Sequence, residues 1–325
     1  MDLVLNTFGT CLTKDNDCFM VLHKDGRQRI PPADLRSIYI SRGAQISSDA
    51  ALLAIENEIE ILFLDNTGKP AGRIWSNRYG SISTIRKGQL DFSQSKNAVK
   101  WIIEIVASKI ENQQALLWTF ASSQHEMNGI IENVTLRLEN YRKKVLDLQG
   151  ENVSDIAPQL RGWEGIVSKI YFENMNAFLP ERYRFDERSQ HPAMDVVNAM
   201  LNYGYGILYG KIEGSLIRAG IDPYIGILHR DEYRRPVLVY DVIEKYRIWV
   251  DYVVWMLVRQ NIIGEEYFSL KGDGSCWLEG LGKRIVIQSF NDYLSEVIAI
   301  GGIERSRMTH IDLFTQNLAQ KFKTT

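Results

Sequence analysis

Over roughly the first eighty residues the apolar positions come in short runs. Leu3–Phe8, Cys18–Leu22, Ser37–Ile40, Glu60–Leu64 and Gly72–Trp75 are separated by K-D-N-D, K-D-G, P-P and D-N-T-G-K-P. Short runs between turn-forming clusters predict strands of a small sandwich or barrel-like sheet. One helix is expected to interrupt them at Ser48–Glu58, with Ser47 or Ser48 as its N-cap. From Ser93 the period changes. Val99, Ile102, Ile103, Val106 and Ile110 fall on one face of a helix over Val99–Gln114. Met127–Leu148 is amphipathic, with Arg142, Lys143 and Lys144 in its second half. Ala157–Ala177, Ala193–Gly210, Tyr246–Val258 and Cys276–Ala299 are further expected helices. The tail K-F-K-T-T is expected to fray. The pattern therefore predicts an α+β protein. A small N-terminal β-rich, sandwich-like domain over residues 1–90 precedes a larger all-α domain over 91–325. The boundary is expected near R-K-G-Q-L-D-F-S.

Composition narrows the class. The chain has 325 residues, 45% hydrophobic and 24% charged, which suits a soluble globular protein with room for two domains. The net charge of −2 excludes a globally basic chain, so any nucleic-acid contact must come from local patches. The three cysteines, Cys11, Cys18 and Cys276, form no C-x-x-C pair. Such a sparse, odd set fits a reducing compartment, and a cytoplasmic location is expected. The start M-D-L-V-L-N-T-F-G-T has no basic segment leading into a long apolar one, so no signal peptide is expected. Val196–Gly210, the longest uncharged stretch, holds two Asn, three Tyr and three Gly. It reads as a buried helix rather than a membrane span, and no membrane association is expected.

The chemistry concentrates between Gly220 and Asp251, G-I-D-P-Y-I-G-I-L-H-R-D-E-Y-R-R-P-V-L-V-Y-D-V-I-E-K-Y-R-I-W-V-D. An apolar segment ends on His229. After a charged insert, a second apolar run carries Asp241 and Glu244, three residues apart and so on one face if helical. Upstream, Glu164 stands in L-R-G-W-E-G. One imidazole with two or three carboxylates is an N/O set suited to Mg²⁺ or Mn²⁺, and such sites commonly act on phosphate esters. Plainer readings stand beside this one. A single histidine after an apolar segment is usually structural, and Glu164 alone would be a solvated helix acid. Asp241 and Glu244 could form an ordinary solvated face. However, both have apolar neighbours, and burying two acids together is costly unless a cation or donors compensate.

Four blocks resemble a known family. K-I-E-N-Q at Lys109–Gln113 is similar to the pattern K-I-x-N-Q. R-G-W-E-G with Tyr171–Phe172 is similar to G-x-E-G-x-x-A-x-x-Y-F. H-P-A-M-D-V-V-N-A-M-L-N-Y-G-Y resembles R-P-P-x-D-P-V-N-A-x-L-S-F-G-Y. G-I-D-P-Y-I-G-I-L-H and R-R-P-V-L-V-Y-D-V-I-E-K-Y-R resemble G-L-D-P-x-x-G-F-L-H and R-P-S-L-x-x-D-L-M-E-E-F-R. The family is the CRISPR-associated endonuclease and integrase of spacer acquisition (Cas one), the first of the two universal adaptation proteins. The resemblance implies a homodimer whose N-terminal domain serves dimerisation and assembly. Two such dimers would flank a dimer of the second adaptation protein in a heterohexamer. It also implies metal-dependent joining of prespacer 3′-hydroxyls to the repeat borders of a CRISPR array. Glu164, His229 and Glu244 would be the metal ligands, with Asp241 as the supporting acid beside them. Among DNA contacts, Arg230, Arg234 and Arg235 could hold phosphates, although Asp231 and Glu232 offer them ion pairs. Lys109, Asn112 and Gln113 form a polar stripe for DNA or a partner. Tyr171, Tyr203 and Tyr205 could stack on bases, core packing being the main alternative. Arg182, Arg184 and Arg188 interleave with Glu181, Asp186 and Glu187, and either role is open.

The chain departs from the pattern at Tyr240, which replaces a small or apolar residue, and at Lys245, which replaces the second acid of the E-E pair. His191 stands where Arg or Pro is usual and is not read as a ligand. The proposed site residues are all present, so an active site is expected. Two competing functions are a non-catalytic DNA-binding scaffold and a relative carried by a mobile element. The latter often has added DNA-binding segments, whereas this chain stops soon after the helical part.

Overall fold

In the computed structural model, residues 2–64, 70–74, 82–122, 128–190, 192–229 and 235–324 are described. The punctuated N-terminal runs become β1 (Asp2–Leu5), β2 (Cys11–Asp15), β3 (Cys18–His23), β4 (Gly26–Ile30), β5 (Ser37–Ser41), β6 (Gln45–Ile46), α1 (Ser48–Glu56), β7 (Glu60–Leu64) and β8 (Pro70–Ile74). They form two four-stranded sheets, ordered β1-β5-β7-β8 and β4-β3-β2-β6. The first is parallel except for the antiparallel β7–β8 edge. Leu12 and Phe19 from one sheet and Ile38 and Ile61 from the other are fully buried. They share one core with Leu53 and Ala54 of α1, the sandwich-like arrangement expected. Ser47 caps α1, its side chain accepting from the Ala50 N–H at 3.2 Å.

Three strands of this unit escaped the sequence pattern, among them the two-residue β6. β2 reaches into K-D-N-D, because the turn needs only Asn16 and Asp17 between the paired residues Asp15 and Cys18. Asn16 takes a φ of 53°, which Asn tolerates better than most residues. β4, G-R-Q-R-I, is exposed at all but its last position, so it shows no apolar alternation.

The chain divides into compact units Met1–Gly80 and Ser81–Thr325. The stretch near residue 90 expected as a boundary lies inside α2 (Ile82–Ser93). Its Gly88 is no chain break. A Cβ there would lie 1.7 Å from the carbonyl oxygen of Phe322, so the glycine permits close backbone contact. The helices continue as α3 (Lys96–Ala121), α4 (Asn128–Leu146), α5 (Val153–Ala177), α6 (Val196–Arg218), α7 (Val237–Ile243) and α8 (Arg247–Arg259). The core face of α3 extends through Leu117 and Phe120, beyond the expected end at Gln114. α5 starts before Ala157 because Asn152 and Asp155 form a capping box, and it then runs through Pro158. α6 is buried nearly all round, as its uncharged sequence suggested. Gly204 brings it close to Val250 of α8.

The end of the second unit is less purely helical than expected. β9 (Phe268–Leu270) and β10 (Cys276–Leu278) form a hairpin before α9 (Gly280–Ser295). β11 (Val297–Ile300) and β12 (Ile303–Ser306) form another, turning at Gly301 and Gly302, both at positive φ. The single helix expected over Cys276–Ala299 is therefore only its central part. α10 (Arg307–Lys323) does not fray at K-F-K, because Phe322 is fully buried with its ring 5.1 Å from that of Phe92. None of the described helices is long and apolar enough to cross a membrane.

Two glycines make opposite predictions. Helix propensity alone favours Ala over Gly by about 1 kcal/mol. A Cβ at Gly162 in α5 meets nothing within 4 Å, so Gly162→Ala should raise unfolding stability by up to about that amount. At Gly88 the obstacle is backbone, and Gly88→Ala should lower stability by about 1–3 kcal/mol. Urea denaturation measures both. A stabilised Gly88→Ala protein would contradict the packing of α2 on α10.

Candidate active site

Asp241 organises one half of the site. It lies fully buried in α7, where V-L-V-Y-D-V-I packs apolar groups on both sides of it. Oδ2 accepts from the N–H groups of Ile227 at 2.7 Å and Leu228 at 3.1 Å. Oδ1 accepts from the His229 N–H at 3.1 Å and pairs with His229 Nδ1 at 2.7 Å. These donors offset the cost of burying a carboxylate. They also fix the imidazole. An ionised carboxylate only accepts, so Nδ1 carries a proton, and in the neutral ring Nε2 keeps the lone pair. Burial opposes charging of the ring, but the hydrogen bond and charge of Asp241 outweigh it. With smaller help from Glu244 and Glu164, the His229 pKa is raised.

The loop before His229 is held from several sides. A Cβ at Gly226 would lie 1.9 Å from the His229 carbonyl oxygen, so the tight turn requires glycine. Gln89 of α2 donates to the carbonyls of Asp222 at 2.7 Å and Ile225 at 3.0 Å, and accepts from the Asp222 N–H. Arg161 of α5 donates to the Leu228 carbonyl at 2.7 Å.

The other half gathers charge from three segments. Glu164 sits midway along α5, Lys109 midway along α3, and Glu244 at the end of α7. The Lys109 ammonium donates to Glu164 Oε1 at 2.6 Å and lies 2.5 Å from Glu244 Oε2. That second approach is a close ion pair, so the one ammonium serves both carboxylates. Arg247, three residues on, donates to Glu244 Oε1 at 2.7 Å. Burial would raise the Glu244 carboxyl, but Arg247 and Lys109 pull it down to about 2. Burial would likewise lower the Lys109 ammonium, but Glu244 and Glu164 hold it above its ordinary range.

A cavity of about 770 Å³ opens on these carboxylates. Its walls carry five basic side chains, Lys109, Arg161, Lys169, Arg188 and Arg247. Against them stand six acids, Glu164, Glu173, Asp186, Glu187, Glu244 and Asp251. His229 is not part of this wall; its ring lies 5.8 Å from that of Tyr240. Among the described residues, no three His, Cys, Asp or Glu side chains stand close enough together to hold a metal ion. The reason is visible in the geometry: an ammonium stands between the carboxylates. The donor set nevertheless suits a hard divalent cation. Two carboxylates converge on one positive charge, and the His229 ring is held through Nδ1, which turns Nε2 away from Asp241.

Several expected contacts change. Tyr171 is fully buried and donates to Asp251 Oδ2 at 2.9 Å, so it is a core residue and offers nothing to DNA. Lys109 is buried on its two carboxylates instead of facing solvent. Asn112 donates to the Lys245 carbonyl at 3.1 Å. Tyr205 is buried, with its hydroxyl on Asp251. Arg230, Arg234 and His191 lie outside the described residues, while Arg235 is exposed just before α7. Sequence reasoning did not assign Arg247, Arg161, Gln89 or Asp251. A signal existed for the arginines: each lies three residues from a site glutamate, in R-G-W-E and E-K-Y-R, a spacing that shares a helix face.

The family described as CRISPR associated protein Cas1 matches residues 3–292. The CRISPR-associated endonuclease Cas1 1 of Archaeoglobus fulgidus is 32% identical over 306 residues, covering 90% of this chain and 88% of its own. The solved structure of a casposase bound to integration product superposes with a TM-score of 0.84 at 20% identity, covering 99% of this chain and 90% of that one. A chain of a Cas6-RT-Cas1–Cas2 complex superposes with a TM-score of 0.80 at 22% identity. The match covers 100% of this chain but 35% of that longer one. At these identities the two structures show a shared fold.

Tyr171→Phe removes a hydrogen bond to a buried carboxylate and should cost about 1.5–3 kcal/mol of stability. Affinity for duplex DNA, read by gel shift well below the melting temperature, should not change. Unchanged stability with weakened DNA binding would restore the DNA-contact reading.

Proposed function

Since the chain belongs to the CRISPR-associated Cas1 family, we propose that it is the metal-dependent endonuclease and integrase of CRISPR adaptation. It would join prespacer 3′-hydroxyl ends to repeat borders by transesterification. The observation that carries this reading is the convergence of Glu164 and Glu244 on one buried cation, near an imidazole locked by Asp241.

Glu164, Glu244 and Nε2 of His229 would hold Mg²⁺ or Mn²⁺, which polarises the phosphoryl group and stabilises the oxygens exchanged at phosphorus. Asp241 does not ligate in this scheme. It keeps the imidazole in the tautomer that presents Nε2. Arg247 keeps Glu244 ionised and oriented. Arg161 and Arg188, in the cavity wall, would bind backbone phosphates. A DNA hydroxyl or water is the nucleophile, so no Ser or Cys is required. The new bond forms from that oxygen to phosphorus as the bond to the leaving strand breaks. In cells the chain would act in the cytoplasm as a homodimer, through its N-terminal unit. Two dimers would flank a dimer of the second adaptation protein in a heterohexamer. A Cas1–Cas2 complex formed by a relative of the same fold supports the pairing.

A strand-transfer assay tests the proposal. It needs a labelled duplex with free 3′-hydroxyls, a supercoiled plasmid carrying the repeat array, and Mg²⁺, Mn²⁺ or EDTA. Joined product should disappear in EDTA. Glu164→Ala, His229→Ala and Glu244→Ala should each lower it by on the order of 10²-fold or more. Asp241→Asn should lower it by about 10–100-fold. Loss of fold in all three alanine variants, seen by circular dichroism, would make those residues structural. DNA binding without nicking or joining in any metal, with or without the partner, would favour an assembly scaffold.

A further inference from the structure

Lys109 stands where a cation is needed before any metal arrives. Glu164 and Glu244 face Lys109 and Arg247, so two negative side chains meet two positive ones. Glu244 is more than nine-tenths buried, and its Oε2 has the lysine ammonium 2.5 Å away. One turn further along α3, on the same face as Lys109, lies Gln113. Gln113 is 5% exposed, lines the same cavity, and its Oε1 has no hydrogen-bond partner. A buried acceptor left unmet is costly, which points to a donor that reaches it in another state. A lysine has a four-carbon flexible stem and three rotatable donors, and the two positions are adjacent on the helix surface.

We propose that Lys109 is a resident counter-cation. It occupies the seat between Glu164 and Glu244 in the metal-free protein. It yields that seat to Mg²⁺ or Mn²⁺ by moving its ammonium to Gln113 Oε1. This inference rests on the metal reading above and gives Lys109 and Gln113 a positioning role. Without the ion, the lysine keeps two nearby acids from repelling each other. With the ion, the ammonium stays in the cavity and the site becomes more positive by the full charge of the ion. Attraction for a phosphodiester then follows metal loading instead of preceding it.

The experiment measures Mn²⁺ binding through the paramagnetic resonance signal of the free ion, together with thermal unfolding in EDTA and in Mn²⁺. Lys109→Met should bind Mn²⁺ about tenfold more tightly than wild type, since a competing charge is gone. It should melt lower in EDTA and gain more from added Mn²⁺. Gln113→Leu should bind Mn²⁺ more weakly with no loss of stability in EDTA. Equal or weaker Mn²⁺ binding by Lys109→Met overturns the proposal. If that variant does not fold, wild type still decides. The acetylation rate of Lys109 by an activated ester, read by mass spectrometry, should rise several-fold in Mg²⁺ over EDTA, and equal rates overturn the proposal. The two readings fail separately. A wild type that neither binds Mn²⁺ nor joins DNA removes the metal site and the proposal with it. A wild type that does both, while Lys109→Met gains no affinity, removes only the resident cation.

Discussion

A fully buried carboxylate, Asp241, holds the loop and the helix of the site together. An ionised acid inside a protein is tolerable only when donors replace the lost water. Here the donors are three consecutive backbone N–H groups and an imidazole. The dependence is mutual. The loop cannot leave α7 without stranding the acid, and α7 cannot shift without releasing His229. Gly226, Gln89 and Arg161 then fix the rest of the loop, so the ring is placed by the backbone and not by its own side-chain packing alone.

Glu244, three residues later, meets the same cost differently. Its charge is balanced by cations, Lys109 and Arg247, and not by backbone dipoles. This contrast separates their roles. Asp241 has both oxygens committed to donors that cannot move. Glu244 is held by side-chain cations, one of them a flexible lysine. An acid of the first kind orients a neighbour, and one of the second kind can exchange one cation for another. Behind Glu244 the arrangement is stiff. The Arg247 guanidinium lies 4.4 Å from the centre of the Tyr205 ring, and Tyr205 and Tyr171 both donate to Asp251. Burial raises the Asp251 pKa despite those donors, so the hydroxyls and arginines around it are needed to keep the acid there.

The sequence made the acids legible and left their partners hidden. Asp241 and Glu244 are local: three positions apart, with apolar neighbours that mark burial. Glu164 is marked by the glycine and tryptophan around it and by the family pattern. Lys109 is 55 residues from Glu164, and only the packing of α3 on α5 brings them together. Gln89 and Asp222 are further apart still. Tyr171 stays open in the sequence because a tyrosine near polar motifs has the same signature whether its hydroxyl faces DNA or a buried acid. Among the elements, the long helices were recovered because their periodicity extends over many residues. β2 and β4 were not, because turn formers overlap one and the other has no buried face along most of its length.

Electrostatics connects this architecture to the net charge of −2. The cavity wall has one more acid than it has bases among the described residues. Among the described residues Arg188 forms no ion pair; it donates to the Ser189 carbonyl and the amide oxygens of Asn198 and Asn202. Lys169 faces Glu173 at 3.8 Å, and Arg247 is matched by Glu244. Such a wall does not by itself concentrate a polyanion. A divalent cation reverses that balance at the point where the phosphate must sit. The acidity that looks unsuited to DNA is then what lets the cavity distinguish a loaded site from an unloaded one.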